Sequence, residues 1–335
     1  MSDHCKTSFP VLLQRFFVEH LGQHRAVSPQ TIAAYRDTFR LLLNFAELKT
    51  GKAPSAILLT DLNTRLLLDF LEYLEKERDN TARSRNARLA AIRTFLKYAS
   101  HYDLDALGII EQALAIPMKR FERQMVGFLI REEIHAILDA PDLKTWSGQR
   151  DRALFSVMYN TGARVSEMIG LRCKDVVLDN QPMVHLKGKG RKERSVPLWR
   201  PNAAVIRSWR KRLQSISDES FLFPNRKGGK MTRANVFQRL KLAVARAMDK
   251  CPGLAGRSIS PHTIRHSTAM HLLQSGVDIT VIALWLGHED TATTHMYVEA
   301  DLSMKEKALM RLQPVEAKMG RYQPSDKLIR FLETL

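Results

Sequence analysis

Met183-Val184-His185-Leu186-Lys187-Gly188-Lys189-Gly190-Arg191-Lys192-Glu193-Arg194-Ser195-Val196-Pro197 holds two short extended runs around a basic, glycine-containing turn. The pattern predicts a β-hairpin, with strands over Met183–Leu186 and Arg194–Pro197. Most of the remaining chain carries helical spacing, so the hairpin fixes the fold class as mainly α with a small β-sheet. Side chains alternate along a strand, so Lys187, Lys189 and Arg191 share a face if the strand persists. Such a tip, with Lys192 beside it, can enter a DNA groove or simply be a solvated turn. Gly188-Lys189-Gly190 is not a nucleotide loop, because G-x-x-x-x-G-K-[ST] is absent.

Upstream, Val11-Leu12-Leu13 and Phe16-Phe17 recur at helical spacing. Ser28-Pro29 offers an N-cap followed by Pro at the first helical position. Apolar residues then run from Ile32 through Tyr35, Phe39, Leu42, Leu43 and Phe45. A third helix is expected to start near Thr60-Asp61 and to carry Leu66, Leu67, Phe70, Leu71 and Leu74. A fourth carries Leu89, Ile92, Phe95, Leu96 and Tyr98, with Arg83, Arg85, Arg88 and Arg93 around its apolar stripe. No acid occurs from Thr81 to Ser100, which favours a phosphate-gripping face over an ordinary solvated one. Pro117 and the polar stretch 119–124 read as a linker. The organisation expected is a helical unit over 1–116, a linker over 117–126, a second unit over 127–315 and a tail over 316–335. In the tail, Ser325 can cap a helix over Asp326–Leu335.

The second unit opens with helices over Arg131–Leu138 and Arg150–Tyr159, and three segments in it carry candidate chemistry. In Thr161-Gly162-Ala163-Arg164-Val165-Ser166-Glu167, Thr161 or Gly162 can open a helix with Arg164 in its first turn, and Glu167 can brace it three residues on. A routine helical ion pair would look the same. In His262-Thr263-Ile264-Arg265-His266, the start at Ser260-Pro261 lets His262 and Arg265 face one phosphate at i and i+3. A metal reading through His262 and His266 is weak, because no H-E-x-x-H is present and no carboxylate or thiol sits at ligand spacing. Leu286-Gly287-His288 is followed nine positions later by Tyr297, which alone would be a packing residue.

Lys and Arg number 52 against 35 Asp and Glu, a net charge of +17, which favours a polyanionic partner, with nucleic acid ahead of an anionic membrane surface. Hydrophobic residues make up 44% of the chain, enough for buried cores and against general disorder. Cys5, Cys173 and Cys251 form no C-x-x-C pair, so neither a zinc ribbon nor a disulfide framework is indicated. No apolar run is long enough for a bilayer and the first residues lack a signal-peptide core, so a cytoplasmic location is expected, without membrane contact.

Taken together, Arg164, Lys189, His262, Arg265, His288 and Tyr297 fall in one order within one unit. In that order and in their flanking residues they resemble the tyrosine recombinase family, which includes phage integrases and Xer-type recombinases. Segment 161–167 resembles its first box, 286–297 its second, and 188–198 its hairpin. Ser28-x-x-Thr31-x-x-x-Tyr35, with Arg85 to Phe95, resembles its helical core-binding domain. The resemblance implies a SAM-like N-terminal domain and an α/β catalytic domain. It implies that Tyr297 attacks a DNA phosphate, Arg164 and Arg265 stabilise the phosphoryl oxygens, and His262 is the candidate base. Lys189 would protonate the leaving oxygen, His288 would hydrogen-bond the phosphate, and Glu167 would orient a neighbouring group. Arg83, Arg85, Arg88, Arg93, Lys187, Arg191 and Lys192 would bind DNA. No cofactor and no metal are implied. The implied partners are double-stranded DNA with an inverted-repeat recombination site and other copies of the chain, as a tetramer on two sites. The tail would dock on a neighbouring protomer or on its own domain.

Three other readings stay open on the residues alone. A DNA-binding regulator could share the fold without chemistry, though no key residue is missing. A type IB topoisomerase shares tyrosine chemistry and would relax plasmids without a specific site. A metal nuclease would lose activity to EDTA.

Overall fold

The computed structural model describes residues 8–121, 127–188, 193–213 and 217–288. The chain divides into two compact units, Met1–Gln124 and Met125–Leu335.

Among its described residues, the regular elements of the first unit are helical. Helix α1 (Phe9–Arg15) runs into a π-helical stretch over Phe16–His24, followed by α2 (Pro29–Thr50), α3 (Thr64–Lys76), α4 (Ala82–Ala99) and α5 (Leu107–Leu114). Side-chain caps set several starts. Ser28 accepts the Thr31 N–H at 3.2 Å and Thr81 accepts the Ser84 N–H at 3.3 Å, contacts worth about 1 kcal/mol each. The third helix begins later than Thr60-Asp61 suggests. Residues 59–61 form a separate 3-10 turn, and Asn63 caps α3 by accepting the Leu66 N–H. The apolar stripes meet in one core containing Leu42, Phe45, Leu67, Phe70, Leu74, Leu89, Ile92 and Phe95. Phe95 packs edge-on to Phe16 at 5.3 Å and to Phe39 at 5.2 Å.

The second unit comprises, among its described residues, α6 (Arg131–Asp139), α7 (Trp146–Thr161), the single-turn α8 (Val165–Met168), strands β1 (Val176–Val177), β2 (Met183–Lys187) and β3 (Glu193–Pro197), then α9 (Arg200–Arg210), α10 (Arg233–Ala247), α11 (Pro261–Gln274) and α12 (Ile279–Leu286). The strands form an antiparallel sheet in the order β1-β2-β3, with Val184 opposite Val196 and Leu186 opposite Arg194. Helix α7 is buried from Ala153 to Thr161 and packs against α6, α9 and α11, so it is the axle of this core. Among the described residues no helix is long and apolar enough to cross a membrane.

Residues 161 and 162 do not open a helix. Thr161 ends α7, and Gly162 terminates it at φ +58°, a left-handed conformation that costs glycine nothing. Arg164 is then the residue that precedes α8.

Candidate active site

Two helix ends create the site. The chain leaves α7 through Gly162 and re-enters a helix after Arg164, while α12 stops at Gly287, which also lies at positive φ, +66°. Gly287 hands the chain directly to His288.

Both arginines expected at the phosphate are held at this junction. Arg265, on α11 and 2% exposed, donates from Nη1 to the Gly162 carbonyl at 2.6 Å and from Nη2 to the Leu286 carbonyl at 2.9 Å. Half-buried Arg164 donates from Nη2 to the Gly287 carbonyl and from Nη1 to Glu167 Oε1, both at 3.1 Å. The two guanidiniums therefore grip consecutive carbonyls at the end of α12. Fixed cations converging in this way suit an anionic, phosphate-like group, because guanidinium forks match its oxygens.

Glu167 is the hub beneath them, its side chain only 2% exposed. Besides Arg164 Nη1 it receives the Arg164 backbone N–H at 2.9 Å. Arg194, on β3, adds a two-pronged contact, Nη1 to Oε1 at 3.1 Å and Nη2 to Oε2 at 2.9 Å. Burial pushes the Glu167 carboxyl upward, but the hydrogen bond and charge of Arg194, followed by those of Arg164, outweigh it and hold the group below the usual carboxylate range. Arg194 also donates from Nε to the Trp285 carbonyl at 2.9 Å. Its place has a signal in the sequence: on β3 it shares the inward face with buried Val196, an odd location for an unpartnered charge. It is absent from the residues expected at the site.

His262 is exposed on the first turn of α11, and its ring lies 4.5 Å from that of buried His266. His266 is pushed down to about 4 by burial and then by His262 and Arg265. Half-buried His288 is likewise held at about 4, first by burial and then by Arg265, Arg164, His266 and Arg194. Both rings are therefore neutral near pH 7, able to give a hydrogen bond without adding charge.

The hairpin is present as expected, with Lys187 closing β2 opposite Glu193, their charged ends 3.8 Å apart and exposed. Lys189, Arg191, Lys192 and Tyr297 lie outside the described residues, as does the tail helix expected over Asp326–Leu335. Among the described residues no group of three or more His, Cys, Asp or Glu side chains is placed to hold a metal ion.

In the first unit, Arg83 is exposed and Arg88 and Arg93 are half-buried on α4. Steps of five residues turn a helix by about 140°, so these three point in different directions rather than along one face. Arg85 departs from expectation. It is 5% exposed, and its Nη1 donates to the Pro117 carbonyl at 3.2 Å and to Asn86 Oδ1 at 3.0 Å. A guanidinium enclosed in this way anchors the segment after α5 and is not presented to a phosphate.

Two family models match the chain, the phage integrase family over residues 128–304 and the phage integrase N-terminal SAM-like domain over residues 14–102. The Sinorhizobium fredii protein y4rC, assigned as an integrase/recombinase, is 43% identical over 98% of this chain and 98% of its own length. The tyrosine recombinase XerD of Pseudomonas putida is 31% identical over 90% of this chain and 94% of the relative. A crystal structure of the XerH site-specific recombinase, bound to palindromic difH substrate in a post-cleavage complex, aligns with a TM-score of 0.64. It is 24% identical, over 90% of this chain and 82% of that one, and speaks for the fold.

Proposed function

This chain belongs to the phage integrase family of tyrosine recombinases, and we propose that it breaks and rejoins DNA strands at specific sites through a covalent link to Tyr297. The observation that carries the reading is the convergence of Arg164 and Arg265 on the carbonyls of Gly287 and Leu286, directly before His288. Nine residues later comes the nucleophile.

In the proposed reaction, the Tyr297 Oη–phosphorus bond forms as the bond from phosphorus to the 5′-oxygen breaks. A phenol has a pKa of about 10, so its proton needs an acceptor, and exposed His262 is the candidate. The departing oxygen takes a proton from Lys189, the general acid assigned by the match to the family's hairpin. Arg164 and Arg265 lower the barrier by opposing charge that builds on the phosphoryl oxygens. His288, kept neutral by burial and by those arginines, donates a hydrogen bond to the same phosphate. The product is a 3′-phosphotyrosyl enzyme and a free 5′-hydroxyl. Attack by the 5′-hydroxyl of a partner strand reverses the step and conserves the bond, so the exchange draws on neither ATP nor a metal.

The substrate proposed is double-stranded DNA carrying an inverted-repeat site, with exposed Arg83 of the first unit and Lys187, Arg191 and Lys192 of the second as contacts; Arg88 and Arg93, turned away from Arg83 on α4, are not counted with it. The net charge of +17 supports this partner. Four copies would act on two sites in the cytoplasm, the tail of one docking on the next, in the service of a mobile element. The test is a DNA duplex nicked beside the cleavage position, which traps the adduct. Wild-type protein should give a protein–DNA band on a denaturing gel, and Tyr297→Phe should give none while still binding. A band that persists in the variant would move the nucleophile elsewhere, with Tyr322 the first to check.

A further inference from the structure

We propose that Arg194 is a positioning residue for strand cleavage, acting through Glu167 to hold the Arg164 guanidinium toward the phosphate. The inference rests on the recombinase reading above and adds a residue to it.

The geometry starts with a shared acceptor. Glu167 is buried and receives four N–H contacts from two arginines: the backbone N–H and Nη1 of Arg164, and Nη1 and Nη2 of Arg194. The parallel two-bond arrangement that an arginine makes with a carboxylate is taken by Arg194, not by Arg164. Arg164 therefore gives the carboxylate one side-chain N–H contact, and its Nη2 lies instead on the Gly287 carbonyl. A guanidinium has five N–H donors, so this arrangement leaves Arg164 with capacity for a substrate oxygen.

Removal of Arg194 should redirect that capacity. Glu167 would keep its charge in a buried place with one cation left, and an under-satisfied buried carboxylate is costly. Rotation of Arg164 into the vacated two-pronged contact would relieve the cost and turn the guanidinium from the phosphate. Binding would survive, because many other cations hold DNA, whereas the transition state would lose its fixed donor.

Arg194 is also well placed to join the parts of the site. It stands on β3, five residues after Lys189 in the sequence, and its contact with Glu167 ties the β2-β3 hairpin to the Arg164 turn. Through Nε it holds the Trp285 carbonyl in the last turn of α12. The fit at Gly287 is close, since a Cβ there would lie 2.9 Å from Arg194 Nη1 and 3.2 Å from its Cδ. The side chain is only 12% exposed and lies among these partners.

The experiment measures single-turnover cleavage of the nicked duplex at saturating protein, with affinity and thermal midpoint measured separately, for Arg194→Ala, Arg194→Lys, Glu167→Gln and Arg194→Ala with Glu167→Gln. Arg194→Ala should slow cleavage about 100-fold with affinity changed little, the scale expected for a displaced catalytic group. Arg194→Lys should keep the fold but recover only part of the rate, because an ammonium cannot fork. The double variant should be no slower than Arg194→Ala alone, because both changes interrupt one route. Wild-type cleavage with an unimpaired Arg194→Ala would overturn the proposal, as would a loss confined to affinity or rate losses that multiply in the double variant. If Arg194→Ala does not fold, Arg194→Lys decides, and full activity in it overturns the proposal. Failure of the wild-type protein to form any adduct would instead reject the recombinase reading itself.

Discussion

Gly162 and Leu286 touch at the point where Arg265 holds the carbonyl of each. A Cβ built on Gly162 would lie 2.4 Å from Leu286 Cδ2, and Leu286 is fully buried with little room to move. Gly162 is also at φ +58°, so Gly162→Ala carries both backbone strain and a steric conflict. The expected loss of stability is about 2–4 kcal/mol by urea unfolding. Gly276→Ala is the control within the same unit. It sits at φ +83° with nothing within 4 Å of its Cβ, so it should cost only about 1 kcal/mol. Equal losses at both positions would show that the Leu286 contact is soft.

The fold was readable where periodicity and capping agreed. Ser28 and Ser260 each cap a helix as their place before a proline suggests, and buried residues follow in both. The turn at Thr161-Gly162 was not readable, because a glycine there suits a helix opening and a left-handed ending alike, and only packing against Leu286 decides. The lack of acids around α4 draws Arg85 toward phosphate, yet its partner is the Pro117 carbonyl, 32 residues away and invisible to local patterning. Arg194 was missed for a related reason. Its charge belongs with the basic hairpin in the sequence, but its strand parity turns it inward onto Glu167. What periodicity does not encode is which buried charges will find one another.

Arg85 and Arg83 should separate experimentally. Arg85→Ala removes a buried anchor and should destabilise the first unit by about 1–3 kcal/mol, read by thermal or urea unfolding. Arg83→Ala, at an exposed position, should leave stability unchanged, weaken DNA binding, and lower the slope of log K against log salt by roughly 0.9. Arg85→Ala weakening DNA binding at unchanged stability would restore it to the phosphate-contacting set.

Stability should fall as the solution is acidified through the histidine range. His266 and His288 are both held at about 4 in the folded chain, against about 6.5 when unfolded. Between those values the unfolded chain binds the extra protons, so stability rises with pH across this window and is lost as pH drops from 6.5 toward 4. For buried His266 the slope approaches about 1.4 kcal/mol per pH unit, and for half-buried His288 it is smaller because solvent screens it. His266→Asn should flatten the midpoint-versus-pH curve between pH 4 and 6.5. Bound DNA should flatten the His288 part, because a nearby phosphate favours the protonated ring. A curve that is flat in the wild-type protein would mean that the rings are charged in the fold.

The last prediction separates Lys189 from Lys187, two lysines separated by one residue in the same basic run. Lys187 is exposed at the end of β2 and pairs with the exposed carboxylate of Glu193 across the ladder. An exposed ion pair of this kind contributes little to stability and marks Lys187 as a solvent-facing surface cation. Lys189 is two residues further along the chain and is assigned as the acid by its match to the family's hairpin. A general acid matters only when the leaving oxygen needs a proton. Replacing the 5′-bridging oxygen with sulfur supplies a leaving group that departs unprotonated. Lys189→Ala should therefore cleave ordinary DNA slowly and be largely rescued on the sulfur-bridged duplex. Arg164→Ala should not be rescued, since sulfur at the bridge does nothing for charge on the non-bridging oxygens. Lys187→Ala should change affinity, with little effect on the cleavage rate at saturation. Rescue of Lys187→Ala instead would show that the hairpin is set two residues differently at the phosphate. Rescue of neither lysine variant would pass the acid role to another group, and His288 is next in line because it already stands beside both arginines.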